Sequence, residues 1–352
     1  MTVSAQSSQA LIPVSIAFNP KTDGRTYRPA DLEQSDEPRA ILGEDNRIPV
    51  TKREFPWTAI GRIDLVIEGK EDGNCTGTLI SRNLILTNSH CLVESEENPR
   101  PIIPRSAKQN GNVRIVFKPN LREDDFAQED RATVIDYAYG WEAGVKWSED
   151  WAILKLDRNL GDKYGYLGWR TLNFSNSKVL KALKNQVRLA GYSGDYPTRK
   201  QRVAEKLEGE EMDTAAIHTG CSIEGSSESL RIAILPDGSA KYGATGKQIE
   251  KGLIVHNCDS TGGSSGSAIL AKFADGQYYI IGLHAGWNPF DASTIPKGGS
   301  REVCRITKRD DKGRVIYDTD NNLEYDPVGI CRNRAVRASQ WFTQAAKMRS
   351  GK

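Results

Sequence analysis

Apolar and β-branched residues recur along this 352-residue chain in short runs, broken by glycine, asparagine, aspartate and serine. Runs of that length bounded by turn residues predict β-strands. A first series occupies residues 59–67, 76–80, 84–87, 113–117, 133–137 and 151–156. A second occupies 186–190, 215–218, 230–235, 252–256, 267–273 and 278–284. Each makes about one barrel's worth of strands. Only near the end does the period change. Within residues 335–348, Ala338, Trp341, Phe342 and Ala345 recur at i, i+3, i+4 and i+7, the apolar face of an amphipathic helix.

Two stretches fall outside this pattern. Residues 1–39 are rich in Ser, Gln, Asp, Glu and Pro, carry little periodicity and end in Pro38-Arg39, which reads as a leader or pro-segment. Residues 291–330 are polar and turn-rich, with Cys304 inside and Cys331 just beyond, and read as a stapled surface insertion. The expected organisation is therefore a leader at 1–39 and a domain at 40–352. That domain holds two barrels, about 40–170 and 171–334, and a C-terminal helix about 335–348.

Composition narrows the partners. A chain that is 38% hydrophobic and 27% charged can bury a sizeable core, and its formal net charge of +2 gives no support for nucleic-acid binding or a polybasic membrane anchor. No apolar stretch approaches the ~20 residues needed to span a bilayer. The run Leu11 to Phe18 lacks the positive flank of a signal peptide, so no clear signal peptide is present.

The candidate chemistry centres on Gly262-Gly263-Ser264-Ser265-Gly266-Ser267, a small-residue turn running into the apolar Ala268-Ile269-Leu270. A nucleophilic hydroxyl needs such a turn, so that its oxygen is exposed and backbone N–H groups converge on the developing oxyanion. It also needs a base, usually a histidine oriented by a carboxylate. Of the four histidines, His90 stands at a strand end beside Cys91, and Asp150 opens the alternating run Trp151-Ala152-Ile153-Leu154-Lys155-Leu156.

With these residues in the order His90, Asp150, Ser265, the chain resembles a chymotrypsin-fold serine protease, and more narrowly it is similar to the bacterial glutamyl endopeptidases. The family's T-x-x-H-C is matched by Thr87-Asn88-Ser89-His90-Cys91, D-x-A-hydrophobic by Asp150-Trp151-Ala152-Ile153, and G-x-S-G-S by Gly263-Ser264-Ser265-Gly266-Ser267. Residues 41–51 and Phe55-Pro56-Trp57 are like the mature start of these endopeptidases. The resemblance implies an all-β fold of two six-stranded antiparallel barrels with a C-terminal helix, and an active site in the cleft between them. It implies a catalytic triad of His90, Asp150 and Ser265, with the N–H groups of Gly263 and Ser265 as oxyanion hole. It also implies a Cys75–Cys91 bridge bracing the histidine loop. The substrates would be proteins or peptides, with no cofactor and no metal, and a monomer is expected.

Specificity has two readings. Asp259, six residues before Ser265, stands where trypsins keep an acid at the base of the S1 pocket, which implies cleavage after Arg or Lys. In glutamyl endopeptidases a histidine matching His284 binds the P1 carboxylate, helped by a hydroxyl at the position of Ser260 and by the mature amine, which aligns with Ala40. The second reading is preferred, because the first leaves His284 without a role. It implies a zymogen, with a processing protease that cuts Arg39-Ala40 and so releases the active enzyme. Ser264 departs from animal trypsins, in which an aspartate at that place pairs with the new N-terminus.

Six cysteines, Cys75, Cys91, Cys221, Cys258, Cys304 and Cys331, allow 15 complete pairings. Nesting by proximity suggests Cys221–Cys258 and Cys304–Cys331. The rival is a zinc site from His218-x-x-Cys221 and His256-x-Cys258, whose spacing is ligand-like. Paired cysteines and the resemblance imply a secreted or periplasmic protein. A protease fold kept as a catalytically inactive binding module is the alternative of another class.

Overall fold

The computed structural model describes residues 16–34, 47–105, 112–122, 130–209, 211–227, 231–234, 240–243, 247–248, 250–288, 304–308, 325–329 and 332–351, with isolated positions between 310 and 319. Ala40 and Arg39 lie outside the described residues, as does Cys331, so the Cys304–Cys331 pairing is not among the contacts below.

The strands, in chain order, are β1 Arg47–Pro49, β2 Ile60–Ile67, β3 Lys70–Leu79, β4 Leu84–Thr87, β5 Val113–Pro119, β6 Ala132–Tyr139, β7 Ala152–Leu156, β8 Gly168–Trp169, β9 Val187–Gly191, β10 Ala216–Cys221 and β11 Ile223–Ser226. There follow β12 Arg231–Ile234, β13 Ala240–Gly243, β14 Lys247–Gln248, β15 Leu253–His256, β16 Ala268–Lys272, β17 Tyr278–Asn288, β18 Cys304–Thr307, β19 Tyr325–Gly329 and β20 Arg332–Arg337. Three short helices, α1 Gly161–Tyr164, α2 Ser177–Leu183 and α3 Arg199–Glu205, precede the longer α4 Ala338–Arg349. None is long and apolar enough to cross a membrane among the described residues.

The first barrel closes in the order β2-β3-β4-β7-β6-β5. Its strands are the ones the first apolar series predicts, and they bury Ile60, Ile63, Ile85, Phe117, Ile153 and Leu154, all nearly or fully inaccessible, on both faces of the sheet. Lys155 is the one exposed position of β7.

The second sheet follows the path β1-β10-β9-β16-β17-β20-β15-β11. Its hydrogen-bonded ladder stays open, where the resemblance implied a second closed barrel. The chain itself links the two sides, since β10, next to the end strand β1, and β11 at the other end are separated only by Ser222. At that bend the Ser222 N–H leaves the ladder for Asn257 Oδ1 at 2.7 Å, and the Cys221–Cys258 disulfide straps the bend to the end of β15. Counting β10 and β11 as one bent strand, six strands wrap a core that includes Leu189, Ile254, Ile269 and Ile281.

One strand differs from expectation. Residues 230–235 were expected in this barrel, but β12 pairs only with β13 and β14 in a small separate sheet. The barrel position is taken by β20, pairing with both β15 and β17. Its sequence, Arg-Asn-Arg-Ala-Val-Arg, holds only two apolar residues, Ala335 and Val336, and both are fully buried. Because β20 runs to Arg337, α4 starts at Ala338 rather than near 335. Trp341 is fully buried and meets Trp169 edge-on at 5.5 Å between centroids.

Residues 16–34, the described part of the expected leader, pack on this scaffold. Gly24 exchanges backbone bonds with Trp169 at 3.0 and 3.1 Å, and Tyr27 does so with Tyr166 at 2.9 Å. Asp23 accepts from Thr171 N–H at 2.9 Å and meets Arg170 at 3.5 Å.

Candidate active site

His90 sits in a tight turn, Ser89–Cys91, directly after β4. The turn is bound to the segment before β7: Ser89 Oγ donates to the Trp151 carbonyl at 2.8 Å, and the Asn88 amide to the Asp150 carbonyl at 2.6 Å. Asp150 is fully buried and spends both oxygens on His90, one on the backbone N–H at 3.1 Å and one on Nδ1 at 2.8 Å. With Nδ1 turned to the carboxylate, Nε2 is the nitrogen left for other chemistry. The Cys75–Cys91 disulfide ties this turn to β3. It also consumes both sulfurs of the cluster Cys75, His90 and Cys91, the one group of metal-ligand type among the described residues.

The next residue of β3, Thr76, carries the link to Ser265. Its N–H donates to the Ser265 carbonyl at 2.8 Å, its hydroxyl donates to the Gly263 carbonyl at 3.0 Å, and that hydroxyl accepts from Tyr192 N–H at 2.9 Å. The Ser265 turn of the second sheet thus rests on a strand of the first barrel. Two glycines are required there. Gly263 has φ +92° and a Cβ would stand 2.4 Å from the Tyr192 carbonyl, while Gly266 has φ +84° and a Cβ would stand 2.2 Å from the Thr76 carbonyl. Both are left-handed conformations that side chains resist, in places with no room for a methyl group.

His284 lies on β17, and its backbone is joined to the same turn by Gly266 N–H to the His284 carbonyl at 3.1 Å and His284 N–H to the Ser267 carbonyl at 2.9 Å. Its ring is buried against His256, with Nε2 of His256 3.2 Å from Nδ1 of His284. The tautomers follow from the backbone. Cys258 N–H donates to His256 Nδ1 at 3.2 Å, so a neutral His256 carries its proton on Nε2 and donates it to His284 Nδ1. His284 is left with its own proton on Nε2. Burial, then the Arg334 guanidinium and His90, push His284 down to about 3, and burial with the neighbouring His284 and His218 also holds His256 well below its usual value.

Asp259 is turned to a third histidine. Its N–H donates to His218 Nδ1 at 2.7 Å and its carboxylate lies 3.2 Å from the same nitrogen. Ser260 is half-buried beside it. Cys221 and Cys258 are joined in a disulfide, so the alternative zinc set from His218, Cys221, His256 and Cys258 lacks free thiols.

Other residues here were not singled out from the sequence. Arg334 donates from Nε to the Ala285 carbonyl at 3.1 Å and stacks its guanidinium 3.6 Å over Trp147, just ahead of Asp150. Glu250 accepts from Ser148 N–H at 2.9 Å. Arg47, Ser193, Asp195 and Thr261 surround the turn before Ser265. Nothing in their local sequence marks Thr76, Arg47 or Asp195, whose partners lie 66 to 187 residues away in the contacts that hold this turn.

Among protein families, the model described as trypsin-like peptidase domain matches residues 75–283. An extracellular metalloprotease of Bacillus subtilis (strain 168) is 23% identical over 145 residues, 41% of this chain and 43% of that protein. The chain thus spans less than half the length of that curated relative. Among solved structures, a Glu endopeptidase in complex with MPD is matched over 89% of this chain and 100% of the other, with 19% identity and a TM-score of 0.48.

Proposed function

Because the chain belongs to the trypsin-like peptidase family, we propose that it is a serine endopeptidase that works through His90, Asp150 and Ser265, with a preference for Glu or Asp at P1. The observation that carries the catalytic part is the buried Asp150 holding both the backbone and Nδ1 of His90, which leaves Nε2 as the base. In the first step the Ser265 Oγ–H proton passes to Nε2 as Oγ bonds to the scissile carbonyl carbon. The resulting oxyanion takes hydrogen bonds from the N–H groups of Gly263 and Ser265. His90 then protonates the leaving nitrogen, the C–N bond breaks, and water repeats the sequence on the acyl-enzyme.

The P1 reading rests on His284. A neutral imidazole whose Nδ1 is already engaged presents Nε2–H, a donor for a carboxylate. Ser260 and the amine of Ala40, once Arg39-Ala40 is cut by another protease, would complete the site. Asp259 lies beside His218, but with Nδ1 accepting the Asp259 N–H that ring offers its carboxylate no proton, so the preference over cleavage after Arg or Lys rests on His284. The same reading makes the protein a secreted enzyme of protein substrates, acting as a monomer.

A fluorophosphonate probe and a P1 peptide library test this together. The wild type is expected to label and to favour Glu, while Ser265→Ala abolishes labelling and His90→Ala lowers kcat by roughly 10⁴-fold. Absence of labelling in the wild type would favour an inactive binding module. Preference for Arg or Lys, with self-cleavage at Arg39 that Ser265→Ala abolishes, would make Asp259 the specificity residue.

A further inference from the structure

The position just before Ser265 is the neutral Ser264, yet the turn 261–264 is held by a buried charge pair. Arg47, at the start of β1, donates from Nη1 and Nη2 to the two oxygens of Asp195 at 2.7 and 3.2 Å. Arg47 is 4% exposed and Asp195 not at all. Three consecutive residues on the Asp195 loop then grip the turn. Ser193 Oγ bonds Ser264 Oγ at 2.6 Å, Gly194 N–H donates to the Gly262 carbonyl at 2.5 Å, and Asp195 accepts from Thr261 Oγ1 at 2.5 Å. Within the turn, Ser264 N–H donates to the Thr261 carbonyl at 3.0 Å. Arg47 is itself fixed from both sides, by pairing with His218 on β10 and by the Tyr196 hydroxyl donating to its carbonyl at 2.6 Å.

We propose that the Arg47–Asp195 pair is the brace that aims the N–H groups of Gly263 and Ser265 at the oxyanion, and that it is in place before any cleavage at Arg39-Ala40. The inference rests on the serine-peptidase reading and adds to it a positioning residue on β1. A carboxylate buried beside Thr261 is tolerable only with its cation, because an uncompensated buried charge is costly. Without Arg47, Asp195 gains by turning to water, which takes its hydrogen bond from Thr261 and loosens the turn that sets the two donors. Arg47 is a side chain and not a terminus created by processing, so the brace exists in the uncut chain. Cleavage at Arg39-Ala40 would then complete the P1 site without building the oxyanion hole.

The test compares Arg47→Gln, Arg47→Lys and the neutral pair Arg47→Gln with Asp195→Asn in the full chain. Loss of an oxyanion donor costs roughly 10²–10³-fold in kcat. Arg47→Gln is expected to lower kcat and the rate of fluorophosphonate labelling by about that much, with KM changed a few-fold at most. Arg47→Lys and the neutral pair should each recover part of the loss. Thr261→Val, which keeps the ion pair and removes only its link to the turn, should lower kcat about tenfold and serves if Arg47→Gln does not fold. Arg39→Gln, left uncut, should label at the wild-type rate. A folded Arg47→Gln or Thr261→Val with wild-type kcat, a loss confined to KM, or an uncut chain that labels only after cleavage would overturn the proposal. If the wild type itself fails to label, the serine-peptidase reading falls first, which keeps the two outcomes apart.

Discussion

His284 carries a prediction about pH. Its imidazole is held near 3, against an ordinary 6.5, first by burial and then by Arg334 and His90, and His256 is shifted the same way. When the folded chain refuses a proton that the unfolded chain accepts, stability is complete above the unfolded pKa. It is lost as pH falls from about 6.5 towards about 3. Ser265→Ala, chosen so that the proposed activity would be absent, should therefore melt at a lower temperature at about pH 4.5 than at about pH 7.5. Adding His284→Gln should flatten that dependence. Melting curves that shift in parallel for the two variants would show that His284 does not titrate in this window.

At the level of elements, β3 does more than complete a barrel. Cys75 anchors the His90 turn and Thr76 anchors the Ser265 turn, so one strand holds both turns. Thr76→Val keeps the shape of the side chain but strips the Gly263 carbonyl and the Tyr192 N–H of their partner. Buried groups left unpaired cost about 1–3 kcal/mol each. Urea unfolding should show a loss of that order, kcat should fall more than KM rises, and Thr76→Ser should restore both. A Val variant matching the wild type in stability and kcat would refute this role. The strand itself is plain in the pattern of Thr76 to Ile80, but its function as a hub is not, because its partners lie 187 and 116 residues away.

At the level of the whole molecule, residues 16–34 behave as part of the body. Besides the Gly24 and Tyr27 pairings, Thr26 Oγ1 donates to the Tyr278 carbonyl at 2.7 Å and accepts from Gly168 N–H at 2.9 Å. If the chain is cut after residue 39, these contacts remain. With a site for a sequence-specific protease inserted between residues 35 and 40, the released N-terminal peptide should co-elute with the enzyme in native gel filtration and separate in urea. Separate elution under native conditions would contradict that. The leader reading came from composition, and composition does not register backbone pairing between Gly24 and Trp169, since any polar segment offers the same N–H and C=O groups.

What the sequence determined by itself were the features written locally. Turn residues between apolar runs mark most strands of both barrels, small residues around Ser265 mark a backbone that must turn tightly, and the short motifs at His90, Asp150 and Ser265 are each legible in place. Each needs only neighbours within a few residues. The tertiary structure decided what depends on distant partners. It placed β20 rather than residues 230–235 in the second barrel, because pairing with β15 and β17 outweighs a polar sequence. It set Asp259 against His218, lined up His256 behind His284, and brought Arg47 to Asp195 across 148 positions. The physical reason is that a residue's hydrophobicity is its own, but its hydrogen-bonding partner is chosen by the fold, and a buried charge such as Asp195 is stable only where that partner arrives.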